Sequence, residues 1–202
     1  VNTHHHGDHT HGNWLFPGAT VVGHEGTRAG VPAAGVMPTT GFWEPFDVGR
    51  VDFTPPFLTY TDGVTLYSDD LRCEVTHVGT PAHTTNDSIV WIPERRTLFA
   101  GDLLFTGGTP FLAMGSLTGA IEVLEQVITP LGAETIVPGH GPVAGPGLVT
   151  EILGYLHWLD ALARDSHAAG VAPLDAARQA DLGPYAEWSD AERSLRQLLK
   201  RD

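Results

Sequence analysis

Five histidines fall within the first eleven residues, in the stretch Val1-Asn2-Thr3-His4-His5-His6-Gly7-Asp8-His9-Thr10-His11-Gly12-Asn13. Gly7 and Asp8 interrupt the run, and it leads straight into apolar Trp14-Leu15-Phe16, which is not the plan of an expression tag. Alternate side chains of an extended segment share a face, so His4 and His6 can meet one ion while Asp8 and His9, at a turn into a helix, address a second. Three later segments each end a predicted strand with another donor: His83 in GTPAHTTND, Asp102 in LFAGDLLF and His140 in VPGHGP. Any one of these has an ordinary reading as a hydrogen-bonded histidine or as turn chemistry. As a set they require a fold that gathers strand ends around the first motif.

The elements needed for such a fold can be read from the pattern. Asp8 is expected to cap a short helix through Trp14, and residues 19–23 read as a strand. From Gly30 to Tyr60 the chain is rich in Pro, Gly and aromatics without clear periodicity, which suggests a functional or packed loop. Strands are expected at 64–67, 71–78, 88–92 and 97–100, consecutive and antiparallel. Helical spacing of Leu117, Ile121, Leu124 and Ile128 predicts a helix over 116–128 that feeds a buried strand at 135–137. From Leu148 to the end the pattern is helical, divided at Pro173 and at Gly183-Pro184.

At 202 residues, 42% hydrophobic and 17% charged, the chain suits a single globular domain, and no apolar run approaches the roughly 20 residues of a membrane span. The single cysteine, Cys73, read as a core or strand residue, rules out an internal disulfide and fits a reducing, cytoplasmic setting. A formal net charge of −13 argues against nucleic acid as a partner. His5, His11, His24 and His77 lie outside the donor pattern and read as structural, while Asp87 either orients a ligand histidine or makes a turn.

The pattern His-x-His-x-Asp-His, here His4, His6, Asp8 and His9, followed by His83, Asp102 and His140, resembles the ligand set of the metallo-β-lactamase superfamily. The resemblance covers nearly the whole chain and implies an α/β fold, the αβ/βα sandwich, as one domain over 1–202 with a helical part over 148–202. It also implies two Zn2+ ions, with iron or manganese suited to the same donors. His4, His6 and His83 would hold one metal and Asp8, His9 and His140 the other, with Asp102 bridging, and Asp8 and Asp102 as the catalytic carboxylates. Water at such a centre titrates near pH 7 instead of at about 15.7. In this superfamily a strand-rich segment precedes the first motif. Val1 here reads as the end of a strand whose neighbours are missing, so a longer polypeptide is expected to complete the fold.

Class B1 β-lactamases have Cys where Asp102 stands and lack a ligand at His9, and superfamily nucleases add basic surface, so both are disfavoured. The resemblance leaves glyoxalase-type thioesterases, lactonases, mono-iron sulfur dioxygenases and cyclases. The stretches THHHGDHTHGN, PAHTTNDSIVW and AGDLLFTGGTPFLAMGSLTGAIEVLEQV are similar to cyclase-thioesterases of bacterial aromatic polyketide biosynthesis. That similarity implies aldol cyclisation and thioester hydrolysis of a poly-β-ketone, with a small-molecule or carrier-protein-bound substrate. Gly107, Gly108, Thr109, Phe111 and Trp43 are the expected substrate contacts, and Phe42, Phe46 and Phe57 are further aromatics of the same kind. An acidic carrier protein would be repelled by the net charge unless a local patch such as Arg95-Arg96 offset it. The contrasting reading, a metal-free binding module, should have lost donors, and all seven positions are filled. The helical end either covers the pocket or pairs with a second copy as a homo-oligomer.

Overall fold

The computed structural model describes residues 1–34, 47, 49–192 and 195. Alternating apolar residues build an antiparallel run of β3 (Gly63–Ser68), β4 (Leu71–His77), β5 (Ser88–Ile92) and β6 (Thr97–Phe105), and β7 (Thr135–His140) lies parallel to β6 in the same five-stranded sheet. A parallel neighbour requires a crossover. It is supplied by α3 (Leu117–Val123), which begins at Ser116, whose Oγ accepts the Gly119 N–H at 3.1 Å, and continues through a π turn at Leu124–Ile128.

One face of this sheet packs Leu98, Leu104 and Ile136 against α3 and α4 (Gly147–Ala168). Ile152, Tyr155, Leu156 and Leu159 form the buried stripe of α4, at the three- and four-residue spacing that keeps side chains on one helical face. The opposite face packs Val75 against Val22 and Tyr60, which belong to a parallel pair, β1 (Val22–His24) and β2 (Leu58–Tyr60). Outside that pair lies α2 (Glu25–Ala34). The layers therefore run helix, sheet, sheet, helix, the sandwich expected from sequence.

The middle strands fall where alternation placed them, although β6 runs on to Phe105 because every residue from Ala100 onward is buried. The C-terminal breaks also hold: α4 ends before Pro173, α5 spans Pro173–Gln179, and a 3-10 turn covers Gly183–Tyr185. Two expectations need correction. Asp8 does not cap a helix reaching Trp14; α1 is the four-residue Gly7–Thr10, with His6 at its N-cap position and no side-chain cap bond. The segment after Gly30 is not irregular from its start, since α2 continues through Pro32 to Ala34. Glycine and proline are poor helix formers, which hid α2 from a propensity reading. Packing explains the choice at Gly30, where a Cβ would lie 2.7 Å from the His5 ring. Phe42, Trp43 and Phe46 fall outside the described residues, as do positions 193, 194 and 196–202. Cys73 lies half-buried in β4. Among the described residues no helix is long and apolar enough to cross a membrane.

Gly119 supplies a stability test. Alanine there would gain about 1 kcal/mol of helix propensity. Its Cβ, however, would lie 1.9 Å from the Pro81 carbonyl oxygen, so α3 would have to move away from the loop that carries His83. Gly119→Ala is expected to lower unfolding free energy by about 1–3 kcal/mol in urea denaturation, and a stabilised variant would show that this contact is not tight.

Candidate metal centre

The first motif is held between the two sheets. Asn2 N donates to Val22 O of β1 at 2.8 Å, and Thr3 O accepts from Ser88 N of β5 at 2.8 Å. The Asn2 side chain bonds His9 O at 2.8 Å, fixing the turn into α1. His4 is thereby buried at 1% exposure while Asp8 and His140 stay on an open side, with side chains 33% and 45% exposed.

His83 sits just before β5 in a turn closed by Asp87, whose carboxylate accepts from Thr84 N at 2.7 Å and Thr84 Oγ1 at 2.6 Å. Of its two sequence readings, Asp87 thus makes the turn. Asp102 lies within β6 beside Gly139 of β7, where a Cβ would fall 1.9 Å from Asp102 Oδ1; only glycine leaves room for the carboxylate. His140 ends β7, its ring stacked on Phe105 with centroids 5.0 Å apart.

These elements bring all seven candidate residues together as two groups that share one member. His4, His6, His83 and Asp102 form the first, and Asp8, His9, Asp102 and His140 the second, with one donor atom from each residue lying within 4.8 Å of the others in its group. Asp102 Oδ2 is 3.3 Å from His83 Nε2, 3.4 Å from His140 Nε2 and 3.8 Å from His4 Nε2, while its Oδ1 is 3.0 Å from His9 Nε2. Asp8 Oδ2 lies 3.2 Å from His9 Nε2 and 3.1 Å from His140 Nε2.

Electrostatics divide the histidines. Burial, reinforced by the neighbouring His83, holds His4 well below the ordinary histidine range and His6 down to about 3. For His9 burial also opposes protonation, but the Asp102 and Asp8 carboxylates outweigh it and raise the ring to about 9. The same two carboxylates lift His140 to about 10. Burial raises both carboxyls, but His140 and His9 overcome it and keep Asp8 and Asp102 well below the usual carboxylate range.

A divalent metal fits this donor set. His4 Nε2, His9 Nε2 and Asp102 Oδ1 are buried without an aligned hydrogen-bond partner, although buried polar atoms are ordinarily satisfied. Imidazole with carboxylate suits zinc, iron and manganese alike.

A model of the metallo-β-lactamase superfamily matches residues 1–140. The chain belongs to that superfamily. Two relatives are the hydroxyacylglutathione hydrolase of Methylococcus capsulatus, 31% identical over 68% of this chain and 45% of that protein, and the probable hydroxyacylglutathione hydrolase of Schizosaccharomyces pombe, 31% identical over 69% and 46%. The chain spans about half the length of the curated relatives it matches. A metallo-β-lactamase from Pontibacter korlensis shares the fold, with a TM-score of 0.62 at 23% identity over 78% of this chain and 67% of that one.

Of the residues expected to meet substrate, Phe111 lies against the centre, its ring centroid 6.2 Å from that of His6 and 6.0 Å from that of His83. Gly107 O accepts from Ser189 N at 3.0 Å, and Thr109, buried at 4% exposure, donates its N–H to Ser189 O at 3.0 Å, with Gly108 bridged to Ser189 between them. Phe57 is 85% exposed, and Trp43 is outside the described residues. The histidines left outside the donor pattern have structural partners. His5 bonds Asn86 at 2.9 Å, His24 stacks on His77 at 4.1 Å, and His11 packs edge-on to Phe53 at 5.6 Å. Sequence reasoning missed Asn86, Phe105 and Met114. Phe105 alone carried a signal, as the last apolar residue of the strand containing Asp102.

Linkage fixes how the metal-free protein responds to pH. His9 and His140 have raised folded values, so their stabilisation is full below the unfolded value of 6.5 and is lost as pH rises through about 9 to 10. His4 and His6 are depressed, so protonation of the unfolded chain lowers stability as pH falls below 6.5. The thermal midpoint of chelator-treated protein is expected to peak near pH 6.5 and fall on both sides. A midpoint that climbed steadily up to about pH 9 would contradict this balance of charges.

Proposed function

We propose that the chain is the catalytic core of a dinuclear-metal hydrolase that cleaves a thioester, in the manner of a glyoxalase-type thioesterase. The observation that carries this reading is the pair of donor groups sharing buried Asp102, closed on the His4 and His83 side and open on the Asp8 and His140 side. His4, His6 and His83 would hold one ion, Asp8, His9 and His140 the other, and Asp102 both. Divalent metal bound there supplies Lewis acidity toward a carbonyl oxygen and makes hydroxide accessible near neutral pH.

The chain's own residues supply the rest. Asp8, held ionised and one-third exposed, keeps its charge at the open face with Oδ2 between His9 and His140, while Asp102 keeps its charge in the buried position. Hydrolysis consumes one water, forms an acyl carbon–oxygen bond and breaks the acyl carbon–sulfur bond, giving a carboxylate, a thiol and one proton released to solvent. Thioester chemistry is supported by the relatives named as hydroxyacylglutathione hydrolases.

The segments that carry the candidate donors bring no Lys or Arg of their own, which suits an uncharged substrate. No Lys or Arg occurs at 1–27, 29–49, 73–94 or 97–163, the segments that carry the seven candidate donors and their flanking loops. Arg28 is committed to Pro56 O, and Arg50 is forked onto Asp52. Arg95 and Arg96 form the turn before β6, roughly 20 Å along the strand from Asp102 at about 3.3 Å per residue. Arg96 there is bound to Glu134. A poly-β-ketone or aromatic polyketide thioester, the narrower form suggested by the sequence stretches, is uncharged in its acyl part and matches this surface. An acidic carrier protein does not, so a small free thioester is the preferred substrate.

Thiol release from zinc-loaded protein tests the reading with three substrates: a hydroxyacyl glutathione thioester, the same acyl group on N-acetylcysteamine, and a β-ketoacyl group on N-acetylcysteamine. The neutral thioesters are expected to match or exceed the glutathione one in kcat/KM. Asp102→Asn is expected to be slower by about a hundredfold or more, ~2.7 kcal/mol of barrier. If protein with bound metal cleaves none of them, the thioester reading falls and lactones come next. A chain unable to take up zinc, iron or manganese would be a binding module.

A further inference from the structure

A histidine that faces an ion with one ring nitrogen leaves the other to be satisfied by the protein, and that outer partner orients the ring. His83 Nδ1 donates to Phe111 O at 2.6 Å, and His4 Nδ1 lies 3.1 Å from Thr3 Oγ1. His6 is arranged differently. Its inner atom is Nδ1, 2.9 Å from His83 Nε2, and its outer Nε2 lies 3.3 Å from Met114 Sδ.

We propose that Met114 is a positioning residue of the centre, its thioether accepting the Nε2–H of His6 and so holding that ring with Nδ1 turned inward. The inference rests on the reading of His4, His6, His83 and Asp102 as a metal-holding group. When His6 Nδ1 and His83 Nε2 both present lone pairs inward, the single ring proton of neutral His6 must sit on Nε2, the atom that faces sulfur. A thioether is a weak acceptor, but it is polarisable and needs no proton of its own.

The loop that carries Met114 is held in place by backbone bonds. Phe111 O receives the His83 ring, Gly115 N donates to Leu112 O at 3.1 Å, and Ser116 N donates to Ala82 O at 2.8 Å, beside His83. One short loop therefore supports two donors of the same group, His83 through a carbonyl and His6 through a thioether. Met114 is 49% exposed, so changing it does not open the core.

Met114→Leu keeps size without an acceptor, and Met114→Gln supplies a stronger acceptor of similar length. Zinc affinity, read by competition with a chelator, is expected to fall about tenfold in the leucine variant and to stay within about threefold of the parent in the glutamine variant, with equal thermal midpoints for the three chelator-treated proteins. In zinc-loaded parent protein, nitrogen–proton NMR is expected to find the His6 proton on Nε2, exchanging with solvent more slowly than in Met114→Leu. Leucine and parent proteins of equal zinc affinity would overturn the proposal, as would equal losses in both variants, which would mean that Met114 acts by packing alone. A parent that binds no zinc would instead bring down the metal-holding reading beneath it.

Discussion

A carboxylate buried in a protein interior must be matched by positive charge, because an isolated one costs several kcal/mol even after the surroundings relax. Asp102 has a side chain only 4% exposed, and four histidine nitrogens lie within 3.8 Å of it, drawn from the N-terminal strip, the loop before β5 and the end of β7. Much of the local geometry serves that meeting. Gly139 on the neighbouring strand gives the carboxylate space that any side chain would fill. The parallel pairing of β6 with β7 brings His140 to the same end of the sheet as Phe105. Removing Asp102 would leave the two donor groups without their common member.

The same constraint accounts for the uneven solvation of the centre. In the metal-free protein burial disfavours the protonated form of the histidines toward the core, whereas the carboxylate neighbours favour it for those on the open side. The two halves of the centre therefore differ in charge and access although their donors are alike.

The donor set could be read from the sequence only as a set: alone each histidine or aspartate has an ordinary explanation, and it is their combined order that resembles the metallo-β-lactamase pattern. The five-stranded sheet was legible from its apolar period, that of a half-buried strand. Helix α2 was not, because Gly26, Gly30 and Pro32 weaken its helical signal while its tertiary fit to His5 is invisible along the chain. Met114 escaped as well, since a methionine in a loop carries no pattern and its contact with His6 spans 108 positions. Asp8 has the composition of a helix cap but is held by histidines instead, so the cap reading gave way to a longer-range electrostatic one.

The strip that carries His4 and His6 is bonded on one side to β1 and on the other to β5. Neither sheet alone can set its path. His6 and His83 are 77 residues apart in sequence, and closing so long a span is slow compared with forming the hairpins between them. The five-stranded sheet can thus assemble with Asp102 and His140 already in place, while the full donor set is completed only when the two layers dock. His83, Asp102 and His140 come from the five-stranded sheet and its loops, and His4, His6, Asp8 and His9 from the strip, so the complete donor set exists only where the two layers meet.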